Sequence, residues 1–578
     1  MDRETLTTVH DKKNSLLFFI KTKLLALKRM VENVQSRIQQ HPIQSTLSQT
    51  PIIARSESEL WNPDDNPQNW ILTAGKIQNL RIAIQHINGL EIPANATFSF
   101  WKHIGNPNWG KKYVIGREIR EGCVVPTIAG GLCQLSNALY DAALIAGFEI
   151  VERHRHTKVV KGSLAEKNRD ATVKWNYLDL RFRSNHAFRI EARLTDSQLI
   201  IVFKSTSVGN SPDQSAVISQ PVSSLNDCYS CGNTSCFKHP TGKIAEHKSG
   251  TTVYLLDEQW PEFERYLTQT ISQNTLVLVT SHNNRWLKSK RYQWSFPEGT
   301  IHRSVNFTAL RRAIQLRLAV YKKRNPFEAA LKTDQLIATR LLKQLPIDCT
   351  HLVIAQNLLP FCWKSGLLGG RIVDVLMTRL PIKTLHKRLD QAHAQHPESS
   401  TLADFRAPNW LLEAENSALT QAKYIITPHT EIAAIFQNKL RLLDWQLPEV
   451  AKQTSGHLLL FPASALGRKG AYLVKQLARE LDLSLAVSGT ATDHVGFWEE
   501  CSVHQHTGLK NVGLVLYPTY IEHQPRLLLR AIAMGIPVIT TTAAGIPAQK
   551  GVTVLSIGDY EGLKKAVVLE CEKAGINL

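Results

Sequence analysis

From about residue 250 onward the chain repeats one pattern, a short run of apolar residues followed by a helical stretch. The runs fall at residues 252–256, 276–279, 352–355, 371–377, 424–426, 458–461, 483–487, 512–516, 537–539 and 552–555. Continuous apolar strands separated by helices mean parallel sheets covered on both faces. Ten such runs are too many for one small sheet, so the economical reading is two Rossmann-like halves with a cleft between them. Their expected limits are residues 246–435 and 436–578.

The chain has 578 residues, and at roughly 150 residues per domain it has room for further units upstream. Residues 1–69 read as a basic amphipathic helix and a linker. Leu16, Phe19, Ile20, Leu24, Leu27, Val31 and Val34 follow three- and four-residue steps, with Lys21, Lys23, Lys28 and Arg29 between them. Such a helix packs on its own protein or in a dimer more often than it lies on an anionic membrane surface. Residues 41–69, rich in Pro, Ser, Gln and Asn, read as linker. Residues 70–205 place helical patterns first and alternating, half-buried strands after them, an α+β arrangement. Residues 206–245 are a second linker holding a cluster of cysteines.

Several classes are excluded. Apolar residues are 43 % and charged residues 20 % of the chain, ordinary globular usage. No run approaches the roughly 18 unbroken apolar residues of a membrane span. The N-terminus lacks a signal-peptide pattern, so the expected location is cytoplasmic, with peripheral association at the inner membrane as an option. The net charge of +19 favours anionic partners such as nucleotides and acidic lipid. No nucleic-acid motif appears, and nucleic acid is not an expected partner.

The segment from Ile128 to Tyr140 carries chemistry. Gly130 and Gly131 let the backbone turn sharply, and Cys133 then opens a helix. A helix N-terminus stabilises negative charge and depresses a thiol pKa. Nearby backbone N–H groups or Gln134 could hold an oxyanion. A thiolate needs a base and the base an orienter. His154 or His156 is the candidate base, with Asp170 or Asp179 to orient it. Cys133 and His154 are taken as the catalytic pair. The pieces Phe98-Ser99-Phe100, Gly130-Gly131-Leu132-Cys133-Gln134, Leu139-Tyr140-Asp141-Ala142-Ala143, Ile150-Val151-Glu152-Arg153-His154 and Leu178-Asp179-Leu180-Arg181-Phe182 come in the order of the VanW family, named from vancomycin-resistance clusters. The stretch resembles that family, and the resemblance implies the domain rather than a reaction.

Cys228, Cys231, Cys236 and His239 form a C-x2-C-x4-C-x2-H pattern. Three thiolates and one imidazole would make a closed zinc site. Alternatively the thiolates hold an iron–sulfur cluster with Cys123 or Cys133 as the fourth ligand. The spacing leaves the choice open, with a slight lean to iron–sulfur.

Near the C-terminus, the run at 458–461 leads into Ala463-Ser464-Ala465-Leu466-Gly467-Arg468-Lys469-Gly470 and then a helix. The run at 512–516 leads to Tyr517-Pro518-Thr519-Tyr520-Ile521-Glu522-His523 and another helix. Phosphate oxygens bind where a loop meets a helix N-terminus, and Arg468, Lys469 and Gly470 offer such a loop. Residues 440–560 resemble the donor-binding half of a GT-B glycosyltransferase of the retaining, group 1 type. The resemblance implies that Glu522, with His523 beside it, faces the donor sugar. It also implies a second acid eight residues on, to hold the ribose, where this chain has Arg530. The fold expected is therefore an α+β VanW-like domain followed by an α/β, GT-B-like pair of Rossmann-like halves. The expected function is glycosyl transfer from a sugar nucleotide to an envelope or lipid-linked acceptor. The alternatives are a thiol hydrolase or acyltransferase centred on Cys133, or a scaffold that recognises a cell-wall precursor without turnover.

Overall fold

The structure is a computed structural model. It describes residues 24, 27–29, 31–33 and 38–576, apart from 62–66, 108–112, 121–122, 157–162, 176, 207–225, 228–249, 283–289, 323–324, 404–405 and 452–455. The chain divides into two compact units. The first is residues 1–251 with 345–350 and 366–372, and the second is the remainder.

In the first unit, β1 (Ile52–Glu59), helix α1 (Pro67–Ile84), β2 (Leu90–Ile92), β3 (Thr97–Ser99), β4 (Ile115–Arg120) and β5 (Cys123–Ile128) precede helix α2 (Cys133–Ile145). The strands β6 (Glu149–Glu152), β7 (Arg181–Arg183), β8 (Phe188–Leu194), β9 (Gln198–Lys204) and the short β10 (Asn226–Asp227) follow it. One antiparallel sheet runs β1-β9-β8-β2 and a second runs β3-β7-β6. β4 and β5 form a hairpin, with β10 parallel beside β5. On β8, Phe188, Ile190, Ala192 and Leu194 face inward at every second residue, the period of a pleated strand. Phe98, Phe148, Phe182 and Phe203 meet Phe188 in one aromatic core.

Strand β1 lies within residues the composition assigns to a linker. Its inward positions are Ala54 and Ser56, too small and polar to write an apolar alternation. Pairing with β9 fixes it instead. The alternating residues Ala171 to Trp175 read as a strand in the sequence, but they form none; only Lys174 makes a bridge there, to Leu178.

The second unit holds two sheets. The first is built from β11 (Thr251–Leu256), helix α3 (Pro261–Thr270), β12 (Leu276–Val279), β13 (Ile301–Ser304), helices α4 (Asn306–Tyr321) and α5 (Pro326–Leu342), β14 (Cys349–Ala355), β15 (Ile372–Leu376), β16 (Tyr424–Thr427) and β17 (Leu440–Leu442). Its strand order is β13-β12-β11-β14-β15-β16-β17. The second sheet holds β18 (Leu458–Phe461), helix α6 (Ala471–Glu480), β19 (Leu485–Val487), β20 (Val503–Gln505), β21 (Val512–Tyr517), helix α7 (Arg526–Met534), β22 (Val538–Thr541) and β23 (Val552–Leu555), closed by helix α8 (Tyr560–Ala574). Its order is β20-β19-β18-β21-β22-β23, with every pair parallel. Counted within itself, that is 3-2-1-4-5-6, the Rossmann order. The first sheet begins 3-2-1-4-5 in the same way and adds β16 and β17. The fold class is therefore an α+β unit followed by an α/β pair of Rossmann-like halves. The central strand β21 is buried along its whole length, as parallel strands between two helix layers must be. Among the described residues, no helix is long and apolar enough to cross a membrane.

Candidate functional site

Cys133 is the first residue of α2. The turn before it needs glycine: Gly131 has φ +97°, and a Cβ there would lie 2.1 Å from Lys76 Cγ. Lys76 is fixed in turn by a bond to the Leu60 carbonyl at 2.7 Å. Behind the thiol runs the segment 170–173. Ser136 Oγ donates to Ala171 O at 2.5 Å, and Ala171 N donates to Asn137 Oδ1 at 2.7 Å. These bonds bring Thr172 Oγ1 and Val173 O each to 3.7 Å from Cys133 Sγ.

The same segment delivers Asp170. Its buried carboxylate takes the His156 backbone N–H at 2.5 Å and His156 Nδ1 at 2.5 Å. This imidazole and the Cys133 thiol shift each other's pKa. Burial pushes the thiol pKa up, but the bond and charge of His156, helped by Val173 and Thr172, outweigh it, and the thiol titrates below its ordinary value. Burial pushes His156 down, but Asp170 and the Cys133 thiolate carry it up to about 10. The two shifts run in the direction of a thiolate–imidazolium pair, with the Asp170 carboxylate orienting the ring.

His154 does not join it. Its Nε2 points to Glu152 Oε1 at 3.0 Å, and Glu152 also receives Arg29 and the Asp179 N–H. Asp179 accepts from Ser99 Oγ at 2.6 Å, Trp101 N at 3.1 Å and Arg181 Nε at 2.9 Å, a structural knot. The Gln134 amide nitrogen donates to Ser58 Oγ at 3.0 Å and to Glu59 O at 2.7 Å. The sequence reading takes His154 as the base, whereas the structure sets His156, not His154, against Asp170; Thr172 beside the thiol carries no local sequence signal.

In the second unit, the turn Gly467–Lys469 follows β18 and the Glu522 loop follows β21. β18 and β21 are neighbours on either side of the point where the strand order reverses. Lys469 Nζ lies 2.8 Å from Glu522 Oε2, and Tyr517 OH donates to the same oxygen at 2.5 Å. The other oxygen takes His523 N and Gln524 N, each at 2.9 Å. Burial alone would raise the Glu522 pKa, but Lys469, Tyr517 and the Gln524 N–H bring it to about 2. Burial, with the charge of Arg379, pushes His523 down to about 3, so its ring is neutral. Gly470 is the second glycine the site requires: its φ is +80°, and a Cβ would stand 2.0 Å from Pro518 O. Arg468 O receives the N–H groups of Tyr520 and Ile521 at 3.1 and 3.3 Å, which ties the two loops together. Arg530 is exposed on α7.

Cys228, Cys231, Cys236 and His239 lie outside the described residues. Among the described residues, no group of three or more His, Cys, Asp or Glu could hold a metal ion. Cys123 stands beside Asn226 in the β5–β10 register, two residues before the first cysteine of the cluster.

The family model described as VanW like protein matches residues 75–203. These residues form a VanW-like domain. YoaR of Bacillus subtilis (strain 168) is 33 % identical over 135 residues, covering 23 % of this chain and 44 % of YoaR. The vancomycin B-type resistance protein VanW of Enterococcus faecalis (strain ATCC 700802 / V583) is 31 % identical over 137 residues, 22 % of this chain and 49 % of that protein. The chain thus spans about half the length of the curated relatives it matches. Among solved structures, sucrose-phosphate synthase from Thermosynechococcus elongatus aligns at TM-score 0.35 and 11 % identity, covering 56 % of this chain and 90 % of that one. The lipopolysaccharide outer core galactosyltransferase WaaB, in its apo form, aligns at TM-score 0.32 and 11 % identity, covering 56 % and 91 %. The strand orders, rather than these likenesses, carry the description of the second unit. Cys133, His156 and Asp170 all lie inside the VanW-like domain, while Lys469 and Glu522 lie outside it.

Proposed function

We propose that the chain transfers a glycosyl group from a sugar nucleotide to an envelope or lipid-linked acceptor, at the second unit. The observation behind this reading is the meeting of Lys469 and Glu522 beside neighbouring strands of a 3-2-1-4-5-6 sheet. Ligands of open α/β sheets bind where the strand order reverses, outside the strand C-termini. Lys469 and Arg468 supply positive charge for a diphosphate, and the N-terminus of α6 follows them. Glu522 is ionised at neutral pH. It therefore suits accepting sugar hydroxyls or offsetting positive charge at the anomeric carbon, and does not suit proton donation. Retention of anomeric configuration is part of the proposal. With Arg530 at the second acidic position, the ribose is held by other groups. Calorimetry with UDP-, GDP- and ADP-sugars tests the reading. Binding that Lys469→Ala weakens roughly ten- to a hundredfold, the loss of one charge-assisted hydrogen bond, would support it. Failure of the folded protein to bind any of them would remove it.

A second reading is favoured by the thiolate–imidazolium pair of the VanW-like domain, namely acyl transfer or hydrolysis at Cys133. The thiolate attacks an acyl carbonyl and forms a thioester. The leaving amine or alcohol takes its proton from His156, and water or an acceptor nucleophile releases the acyl group. For the cysteine cluster we propose a zinc site with His239, or an iron–sulfur cluster with Cys123 as fourth ligand. Cys133 is less suited to that task because it is paired with His156. A peripheral position at the cytoplasmic face of the inner membrane fits a lipid-linked acceptor.

A further inference from the structure

Helix α4 turns an apolar stripe toward solvent. Its inner face is Thr308, Ala309, Arg312 and Ala319. Arg312 anchors that face, reaching both Asp257 oxygens at 2.8 and 3.0 Å and Asp334 at 3.0 Å. The outer face should then be polar, as on most surface helices. It is not. Phe307 is 80 %, Ile314 46 %, Leu318 47 % and Tyr321 84 % exposed. At about 100° per residue these four side chains fall within an arc of roughly 60°. Arg311 and Lys322 project on one side of the stripe and Arg317 on the other, and all three are exposed.

On the stretch that carries the stripe the charge has one sign, with the exposed Glu298 and Glu328 just outside its ends. Residues 299–327 contain seven Lys and Arg and no Asp or Glu. Arg312 is neutralised inside, but Arg303, Arg311, Arg317 and Lys322 are exposed. A second copy of the chain docking through this face would set basic residues against basic residues. An apolar stripe bordered by cations matches instead an interface of acyl chains below anionic headgroups.

We infer that α4 docks the second unit onto an anionic lipid bilayer, with Phe307, Ile314, Leu318 and Tyr321 entering the headgroup boundary and Arg311, Arg317 and Lys322 binding lipid phosphates. This assigns the membrane contact to α4 rather than to the basic segment near the N-terminus. Vesicle binding requires no catalysis, so failure of the glycosyl-transfer reading would leave it intact.

The test is co-sedimentation of the full chain with vesicles of phosphatidylglycerol and phosphatidylcholine, and with phosphatidylcholine alone. Each basic residue near such a surface contributes roughly fivefold in affinity. The wild type should bind the anionic vesicles at least tenfold more tightly and lose binding as salt rises. Arg311→Gln/Arg317→Gln/Lys322→Gln should cancel most of that preference. Phe307→Ser/Ile314→Asn/Leu318→Gln/Tyr321→Ser alters only exposed positions and should bind tenfold or more weakly, with an unchanged far-UV spectrum. Lys21→Gln/Lys23→Gln/Lys28→Gln should bind as the wild type does. Equal binding to neutral vesicles, loss of binding only in the N-terminal variant, or a dimer in sedimentation velocity that the apolar variant dissolves would each overturn the assignment.

Discussion

His156 Nδ1 sits 2.5 Å from Asp170 Oδ1, and the same carboxylate holds the His156 backbone N–H. The imidazole is thus fixed at both its ring and its main chain before it meets Cys133.

The first prediction concerns the pH dependence of that thiol. The folded thiol pKa is lowered and the His156 pKa is raised to about 10. Cys133 should therefore react with iodoacetamide with its inflection under the roughly 8.5 of a free cysteine. His156→Gln removes the cation and leaves burial, which acts in the opposite direction. Its inflection should move above that value, while Asp170→Asn should shift it less. His154→Gln should leave the profile unchanged. The sign for stability follows from the raised His156. Its contribution is complete below the unfolded value near 6.5 and fades as pH rises toward 10. A Cys133 profile that ignores His156 would remove the pair.

The second prediction concerns the join between the two Rossmann-like halves. Arg526, at the start of α7, meets both oxygens of Glu262 at 2.7 Å. Trp260 and Trp445 flank the guanidinium at 5.3 and 5.6 Å. The Glu262 side chain is 0 % exposed. Arg526→Met would leave that buried carboxylate with the Gln446 N–H at 2.9 Å but no cation, which costs about 3 kcal/mol or more. Replacing both partners, Arg526→Met with Glu262→Gln, should be less damaging than the single change, since no buried charge is orphaned. Denaturant unfolding of the four proteins of this cycle checks the order.

What the sequence makes legible follows the physics of burial. β18 and β21 are covered on both faces and write continuous apolar runs. The edge strands β13, β17 and β20 read Ile-His-Arg-Ser, Leu-Arg-Leu and Val-His-Gln, and carry no such run. β1 is hidden for the same reason, with Ala54 and Ser56 as its inward residues. At the sites, Cys133 and Glu522 stand out by position, one after paired glycines and one after a strand. Their partners are matters of tertiary contact. Nothing local joins Lys469 to Glu522 across 53 residues, or separates His156 from His154 without Asp170.

The third prediction isolates the turn that presents Lys469. Gly470 has a left-handed φ of +80°, and a methyl group there would stand 2.0 Å from Pro518 O. Gly470→Ala meets both a conformational penalty and a backbone clash. The loop must move, and Lys469 moves with it. Any nucleotide affinity should fall at least as far as in Lys469→Ala, and the melting temperature should fall too. Gly508→Ala is the control, because its φ is +81° but nothing lies within 4 Å of the added carbon. It shares the strain without the clash and should keep full affinity.

The last prediction concerns the cysteine cluster. The proposal rests on the C-x2-C-x4-C-x2-H spacing of Cys228, Cys231, Cys236 and His239, and Asn226, two residues before them, pairs with Cys123. Protein purified without oxygen should carry zinc or iron, and Cys231→Ser should lose most of it. The fourth ligand separates the two chemistries. A zinc site completed by His239 would be colourless, would lose metal in His239→Ala and would keep it in Cys123→Ser. An iron–sulfur cluster completed by Cys123 would absorb in the visible, bleach on reduction and show the reverse response to those two variants. Metal analysis with a visible spectrum reads both at once. Protein that folds normally without metal, and takes up neither ion when it is supplied, would mean that these four side chains do not form a metal centre.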